Sequence, residues 1–227
     1  MAHFVNIISS RKEAKIMSSA SQIPEEKNHY YDGKIYRTFI DPSLKHVRDA
    51  ITRLVPNGSK IIEIGCGTGD QLFNMGHKIK EGLCIELSEV MIETALREKE
   101  KLGFDHLNFV RLDATKLDKI HDKSFDVAIS TLVIHEMPFE HRLKVIKEMK
   151  RVAHRVILID WSFPLNPFTK KWGVHIVEFM AGWNHYQGFR SYMKHGGIPQ
   201  LLEQAELKLL QKKVTTKGLI TIWDSVA

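Results

Sequence analysis

Cysteine is nearly absent from this chain: Cys66 and Cys84 are the two in 227 residues. Two thiols exclude a disulfide framework and a cysteine-rich metal site, so the chain reads as cytoplasmic and both side chains as small packing residues. Long apolar runs are missing as well. None approaches the roughly 20 residues that cross a bilayer, and no membrane span is expected. The patch Phe4-Val5-Asn6-Ile7-Ile8 is too short for the core of a secretory leader and lacks a basic lead-in and a cleavage site. A dominant charge sign is lacking too. Lys and Arg number 33 against 27 Asp and Glu, a formal net charge of +6 with both signs spread along the chain. There is no arginine-rich arm, and short runs such as Lys170-Lys171 and Lys212-Lys213 read as solvated faces, not as a nucleic-acid surface.

What the chain does have is 43% hydrophobic residues at a length suited to one α/β domain. Residues 1–25 mix Ser, Lys and Glu without periodicity and are expected to be loosely ordered; residues 26–227 are expected to form a single domain. Leu44, Val47, Ile51 and Leu54 recur at helical spacing, and Pro56-Asn57-Gly58 stops that helix. Short β-rich runs then alternate with amphipathic segments. The pattern predicts strands at 60–64, 82–86, 107–111, 127–131 and 156–160, with helices at 69–79, 89–101 and 140–152. Such β-α repetition implies a parallel, doubly wound sheet with helices on both faces. Residues 161–190 break the pattern with two prolines, three tryptophans and no sustained period, and read as an insertion. A helix at 198–205 and a closing antiparallel pair, 206–214 with 219–223, complete the expectation.

Residues 61–70, IIEIGCGTGD, place a glycine-rich turn at the carboxyl end of the first strand. Glycines there allow positive φ and let backbone lie against a ligand, with helix N-terminal amides facing it. The glycines stand at 65, 67 and 69, and position 70 is Asp instead of the third glycine of a dinucleotide fingerprint. Glu86 ends the second strand 21 residues after Gly65, the spacing of an acid that accepts from ribose hydroxyls.

With these features the chain resembles the class I S-adenosylmethionine-dependent methyltransferases, especially the small-molecule members of the ubiquinone and menaquinone biosynthesis type. Four segments carry the resemblance: 61–70; 82–88, GLCIELS; 111–114, RLDA; and 125–137, FDVAISTLVIHEM. It implies a Rossmann-like sheet of seven strands, mostly parallel, with an antiparallel final pair. It also implies S-adenosylmethionine as cofactor and S-adenosylhomocysteine as product. By position, Gly65, Cys66, Gly67, Thr68 and Gly69 would form the cofactor turn, with Glu63 near the methionine ammonium. Glu86 would hold the ribose hydroxyls, Leu87 the adenine face, Asp113 and Ala114 the adenine amine, and Thr131 would line the cleft.

A sulfonium methyl is already activated, so the protein need chiefly align an acceptor and exclude water. His135, just past the fourth strand, is the candidate base or orienting group on the acceptor side. Within the insertion, Trp183, His185, Tyr186 and Arg190 would suit an acceptor pocket or lid, together with Tyr31 and Tyr36 from the N-terminal segment. The simpler alternative makes Trp172, His175 and Phe179 a helical packing stripe. Twelve histidines show no fixed ligand spacing, and no metal is expected. The expected partner is a small-molecule acceptor. The competing readings are an RNA-modifying methyltransferase, for which the fourth-strand segment lacks both the proline-containing amine motif and a cysteine, and a catalytically silent cofactor-binding regulator. Nothing in the sequence sets the acceptor or an oligomeric state.

Overall fold

The computed structural model describes residues 41–165 and 171–227. Residues 1–25, expected to be loosely ordered, lie outside them, as do Tyr31 and Tyr36 and the side chains of residues 41–43, 171 and 172. Helix α1 (Asp41–Leu54) leads to β1 (Lys60–Ile64), α2 (Asp70–Met75), β2 (Glu81–Glu86), α3 (Glu89–Leu102) and β3 (Leu107–Arg111). Next come β4 (Phe125–Thr131), a single 3₁₀ turn (Ile134–Glu136), α4 (Phe139–Val152) and β5 (Ala153–Trp161). Three helices follow, α5 (Lys171–Met180), α6 (Trp183–Lys194) and α7 (Gly197–Gln204), before β6 (Lys208–Thr215) and β7 (Ile220–Val226).

The seven strands form one sheet in the order β3-β2-β1-β4-β5-β7-β6. Pairs among β1 to β5 are parallel, whereas β7 runs antiparallel to both β5 and β6. Strands covered on both faces carry apolar residues toward both, and β1 shows this with one exception, the buried Glu63: Ile61 joins one core and Ile62 and Ile64 the other. On Ile61's face lie Val47 and Ile51 of α1, Leu72 and Met75 of α2, and Ile92 and Ala95 of α3. On the opposite face, Ile146 and Met149 of α4 pack with Ile198 and Leu201 of α7 and with Tyr192. The chain leaves β1 toward β2 and β3, then returns to lay β4 and β5 on the other side. The reversal falls between β1 and β4, where a doubly wound sheet opens a crevice at its carboxyl edge.

Two elements depart from the sequence expectation. The helix over 69–79 ends at Met75, because Lys78 N and Ile79 N both bond back to Met75 O and fold the chain into a turn. The aperiodic stretch 161–190 is not irregular: it holds all of α5 and most of α6. Its period was obscured because α6 turns different residue types inward, with Phe189 and Tyr192 buried and Trp183 and Arg190 exposed. The basic pair Lys212-Lys213 lies exposed on β6, at the edge of the sheet, where charge discourages further strand pairing.

Backbone meets backbone where α6 crosses the turn after β4. A Cβ on Gly188 would lie 2.9 Å from the Glu136 carbonyl oxygen and 3.0 Å from that of His135. Arg142, 2% exposed, ties the same contact by donating to the carbonyls of His135 at 3.3 Å, Met137 at 3.0 Å and Gly188 at 2.8 Å. Helix propensity alone would make Gly188→Ala stabilising by about 1 kcal/mol. The close approach reverses the sign: Gly188→Ala is expected to destabilise the fold by about 1–3 kcal/mol, as overpacking does, read as a lower midpoint in chemical denaturation.

Candidate functional site

The crevice is built first by the turn after β1. Gly65, Gly67 and Gly69 all have positive φ, at 69°, 55° and 85°. Their reasons differ. A Cβ on Gly65 would strike the Val133 side chain at 2.6 Å, and one on Gly69 would strike the Phe109 ring at 2.6 Å, so packing requires both. A Cβ on Gly67 would meet nothing within 4 Å among the described residues. Cys66 and Cys84 are joined as a disulfide, with Cα atoms 5.9 Å apart, and neither is free. This corrects the expectation of two unlinked packing residues: parallel pairing of β1 with β2 brings the turn over Cys84, a proximity that a separation of 18 residues does not reveal.

Glu86 sits where the sequence placed it, at the carboxyl end of β2 beside this turn. One carboxylate oxygen accepts from Gly67 N at 3.1 Å, and the other from Leu87 N at 2.8 Å and Ser88 N at 3.0 Å. Backbone donors therefore hold the carboxylate at the mouth of the crevice. Leu87 is exposed, and Arg111 clamps it by donating to its carbonyl at 2.9 Å. Asp113 caps its own turn, accepting from Thr115 N at 2.8 Å, with Ala114 buried beside it. Thr68 donates to Asp70 at 2.5 Å.

Two polar atoms at the crevice are buried without a partner among the described residues, Glu63 Oε2 and Thr131 Oγ1, and Ser130 Oγ on β4 is a third. Burial, reinforced by the negative charges of Asp70 and Glu86, pushes the Glu63 carboxyl up to about 8. A buried carboxyl oxygen without a donor is a costly feature unless something cationic or hydrogen-bonding arrives. Sequence reading identified Glu63 and Thr131 but not Ser130, whose only signal is its place one residue before the strand end.

Past Thr131 the chain turns through Leu132 at φ 57°, a conformation rare for a bulky residue, and enters the 3₁₀ turn carrying His135. His135 is 2% exposed. Its Nδ1 lies 2.7 Å from Asp160 Oδ1, and its backbone N–H donates to Asp160 Oδ2 at 3.1 Å. Its Nε2 faces His185 Nε2 of α6 at 3.3 Å. Glu178 of α5 completes the group, with Oε2 2.8 Å from His185 Nε2 and 3.5 Å from His135 Nε2. Burial alone would lower His135, but Asp160, then Glu178 and Glu136, outweigh it and lift the imidazole to about 9. Glu178 is held below the usual glutamate range: burial opposes ionisation, yet His185, His135 and the Trp161 indole overcome it.

Of the acceptor-side residues expected from the sequence, His135 and His185 meet in this cluster. Tyr186 lies behind them, its hydroxyl 3.3 Å from His175 Nδ1. Trp183 is 59% exposed and Arg190 is exposed over the Tyr186 ring, so neither joins His185. A helix shows one face inward, and positions 183 and 190 fall on the other. Of the alternative packing stripe, Phe179 is exposed and His175 packs edge-on to Phe189. Asp160 and Glu178 were not singled out as site residues. Asp160 had a signal, a carboxylate at the end of the fifth parallel strand; Glu178 had none, since its helix was unrecognised. A cavity of about 420 Å³ lined by Phe139, Arg142, Lys194, His195 and Gln200 includes no residue of the glycine turn and is separate from the crevice.

Comparison with known proteins agrees with this geometry. One curated relative, a tRNA/tmRNA (uracil-C(5))-methyltransferase of Campylobacter concisus, is 29% identical over 123 residues, 50% of this chain. The match spans 33% of that protein's length. Among solved structures, a SAM-dependent methyltransferase from Aquifex aeolicus superposes with a TM-score of 0.61 at 18% identity, covering 86% of this chain and 98% of that one. The [4+2]-cyclase SpnF superposes with a TM-score of 0.62 at 16% identity, covering 80% and 79%. The fold therefore hosts more than one chemistry. The family model described as a methyltransferase domain matches residues 56–175, more than half of the sequence and the part that builds the crevice, and the chain belongs to that methyltransferase family.

Proposed function

We propose that this chain transfers a methyl group from S-adenosylmethionine to a small-molecule acceptor held between the β4 turn and helices α5 and α6. The observation that supports it most directly is the pair of unpartnered buried atoms, Glu63 Oε2 on β1, the strand that runs into the glycine turn, and Thr131 Oγ1 at the end of the neighbouring β4. A Cβ on Gly67 in that turn would meet no described atom within 4 Å. A ligand carrying an ammonium and a ribose matches these groups: Glu63 for the ammonium, the Glu86 carboxylate for the hydroxyls, and Leu87, Asp113 and Ala114 for the base. When bound, the cofactor supplies a methyl on sulfonium, already activated toward a nucleophile. The protein's part is to orient the acceptor and keep water out. Asp160 fixes the His135 ring, and α5 and α6 roof it. Held by Asp160, the ring is set to orient the acceptor or to exchange a proton with it.

Burial of this roofed side favours a small acceptor over a polynucleotide. The kinship with ubiquinone and menaquinone biosynthesis enzymes rests on the sequence motifs. RNA is the second reading, favoured by the Campylobacter relative. Methylation at a pyrimidine carbon is aided by a nucleophilic cysteine, and both cysteines here are joined in the cofactor half. A methyl-transfer screen over phenols, quinones, amines, thiols and tRNA tests the proposal. Turnover on a small molecule is expected; turnover confined to tRNA would replace this reading, and cofactor binding with no turnover would favour a silent regulator.

Glu86→Ala is expected to weaken S-adenosylmethionine binding about 10- to 100-fold in calorimetry, the scale of charge-assisted hydrogen bonds. Unchanged affinity would remove Glu86 from the ribose site. For Glu63, whose carboxyl is raised in the folded state, the stabilising effect of the neutral form is complete below the ordinary glutamate value of 4.5 and is lost as pH rises through about 8. Glu63→Gln should therefore melt higher than the native chain at pH 7.5, with the gap closing near pH 4.5, while binding the cofactor more weakly. A variant that melts lower at pH 7.5 would show that the buried acid is not held at a cost.

A further inference from the structure

Outside the cofactor crevice, the densest group of ionisable side chains is the one around His135. His135, His185 and Glu178 converge there, with the carboxylates of Asp160 and Glu136 beside them. His135 Nε2, His185 Nε2 and Glu178 Oε2 form a triangle with sides of 3.3, 2.8 and 3.5 Å. Donors bound to one cation at about 2.0–2.2 Å stand about 2.8–3.6 Å apart, from octahedral to tetrahedral arrangements. A point about 2.1 Å from all three atoms exists, about 1 Å off their plane. The geometry points to a binding site for one divalent first-row transition ion of the zinc class, held by His135, His185 and Glu178.

Three further observations support the assignment. Glu178 is 3% exposed, and its Oε2, aimed into the triangle, has no properly directed hydrogen bond. The other oxygen, Oε1, accepts from the Trp161 indole at 2.7 Å, which holds the carboxylate in place and leaves Oε2 for the ion. The far nitrogen of His135 is hydrogen-bonded to a carboxylate, Asp160 Oδ1 lying 2.7 Å from Nδ1, while Glu136 stands 3.6 Å from His185 Nδ1 as a charge contact only. Carboxylate partners of the first kind fix which nitrogen faces a metal and raise its basicity. Glu136 also stands close enough to offer a rim donor, since His135, Glu136 and His185 each bring a ligand atom within 4.8 Å of the others.

Two histidines and a carboxylate suit Zn²⁺, Fe²⁺ or Mn²⁺ and leave coordination positions open. The ligands come from the β4 turn, α5 and α6, so an ion here would pin both helices to the carboxyl edge of the sheet. Sequence spacing could not show this, because His135 and His185 are 50 residues apart and Glu178 lies on a helix the pattern did not reveal. The inference concerns binding alone and does not require methyl transfer to occur.

The test uses the full chain without an affinity tag, stripped with a chelator, exchanged into buffer and titrated with Zn²⁺ in a calorimeter, with thermal melts alongside. A single equivalent is expected to bind and raise the melting temperature. His185→Ala and Glu178→Gln should each weaken that binding by roughly 100-fold or more and abolish the melting shift, while Trp161→Phe weakens it about 10-fold. His185 is partly exposed, so its variant is expected to fold, checked by circular dichroism. No uptake of Zn²⁺ by the native chain would overturn the site. Uptake with the same affinity and the same melting shift in His185→Ala and Glu178→Gln would overturn it too, placing the ion elsewhere.

Discussion

A fully buried carboxylate at the end of β5 organises the turn after β4 and the two helices that cover it. Asp160 is 0% exposed and accepts from three donors: the backbone and ring of His135 and the backbone N–H of Trp161 at 2.7 Å. A charge in the interior is tolerable only when so paired. The pairing dictates what surrounds it. The turn after β4 must bend back far enough for His135 to reach Asp160, which places Leu132 in the left-handed region. Trp161 is then set to hold Glu178, and Glu178 meets His185. One carboxylate thus links β4, β5, α5 and α6 through successive hydrogen bonds and charge contacts.

The glycine turn after β1 follows a different principle. There the backbone does most of the holding, through glycines whose neighbours leave no room for a Cβ and through Glu86, whose oxygens are steadied by three amides. Glu63 is the exception, a buried acid with an unpartnered oxygen. Such a group lowers the stability of the folded chain at neutral pH and makes sense where a cationic ligand completes it. The two turns share the switch between β1 and β4, since Gly65 packs directly on Val133 of the turn after β4. A shift in either turn therefore presses on the other.

Much of the fold was legible because parallel strands covered on both faces are short apolar runs, and their alternation with amphipathic helices is visible residue by residue. The strands at 60–64 and 107–111 agree with β1 and β3 end to end. Where the reading was weaker, α5 and α6 carry aromatic, His and Arg residues on more than one face, which blurs the period. The disulfide between Cys66 and Cys84 and the contact of Gly188 with the β4 turn were not visible either, because both arise from pairing between distant segments.

The sequence by itself determined the alternation of strands and helices and the glycine turn followed by an acid, since these rest on local spacing: glycines at 65, 67 and 69 and Glu86 at the end of the next strand. Only the tertiary structure decided which of twelve histidines meet, and which acids stand beside them. His135, Asp160, Glu178 and His185 come from four separate elements, and their convergence depends on how α5 and α6 fold back over the sheet edge. Helical and strand periods are local properties of a chain; the meeting of side chains across elements is set by packing, which no local pattern encodes.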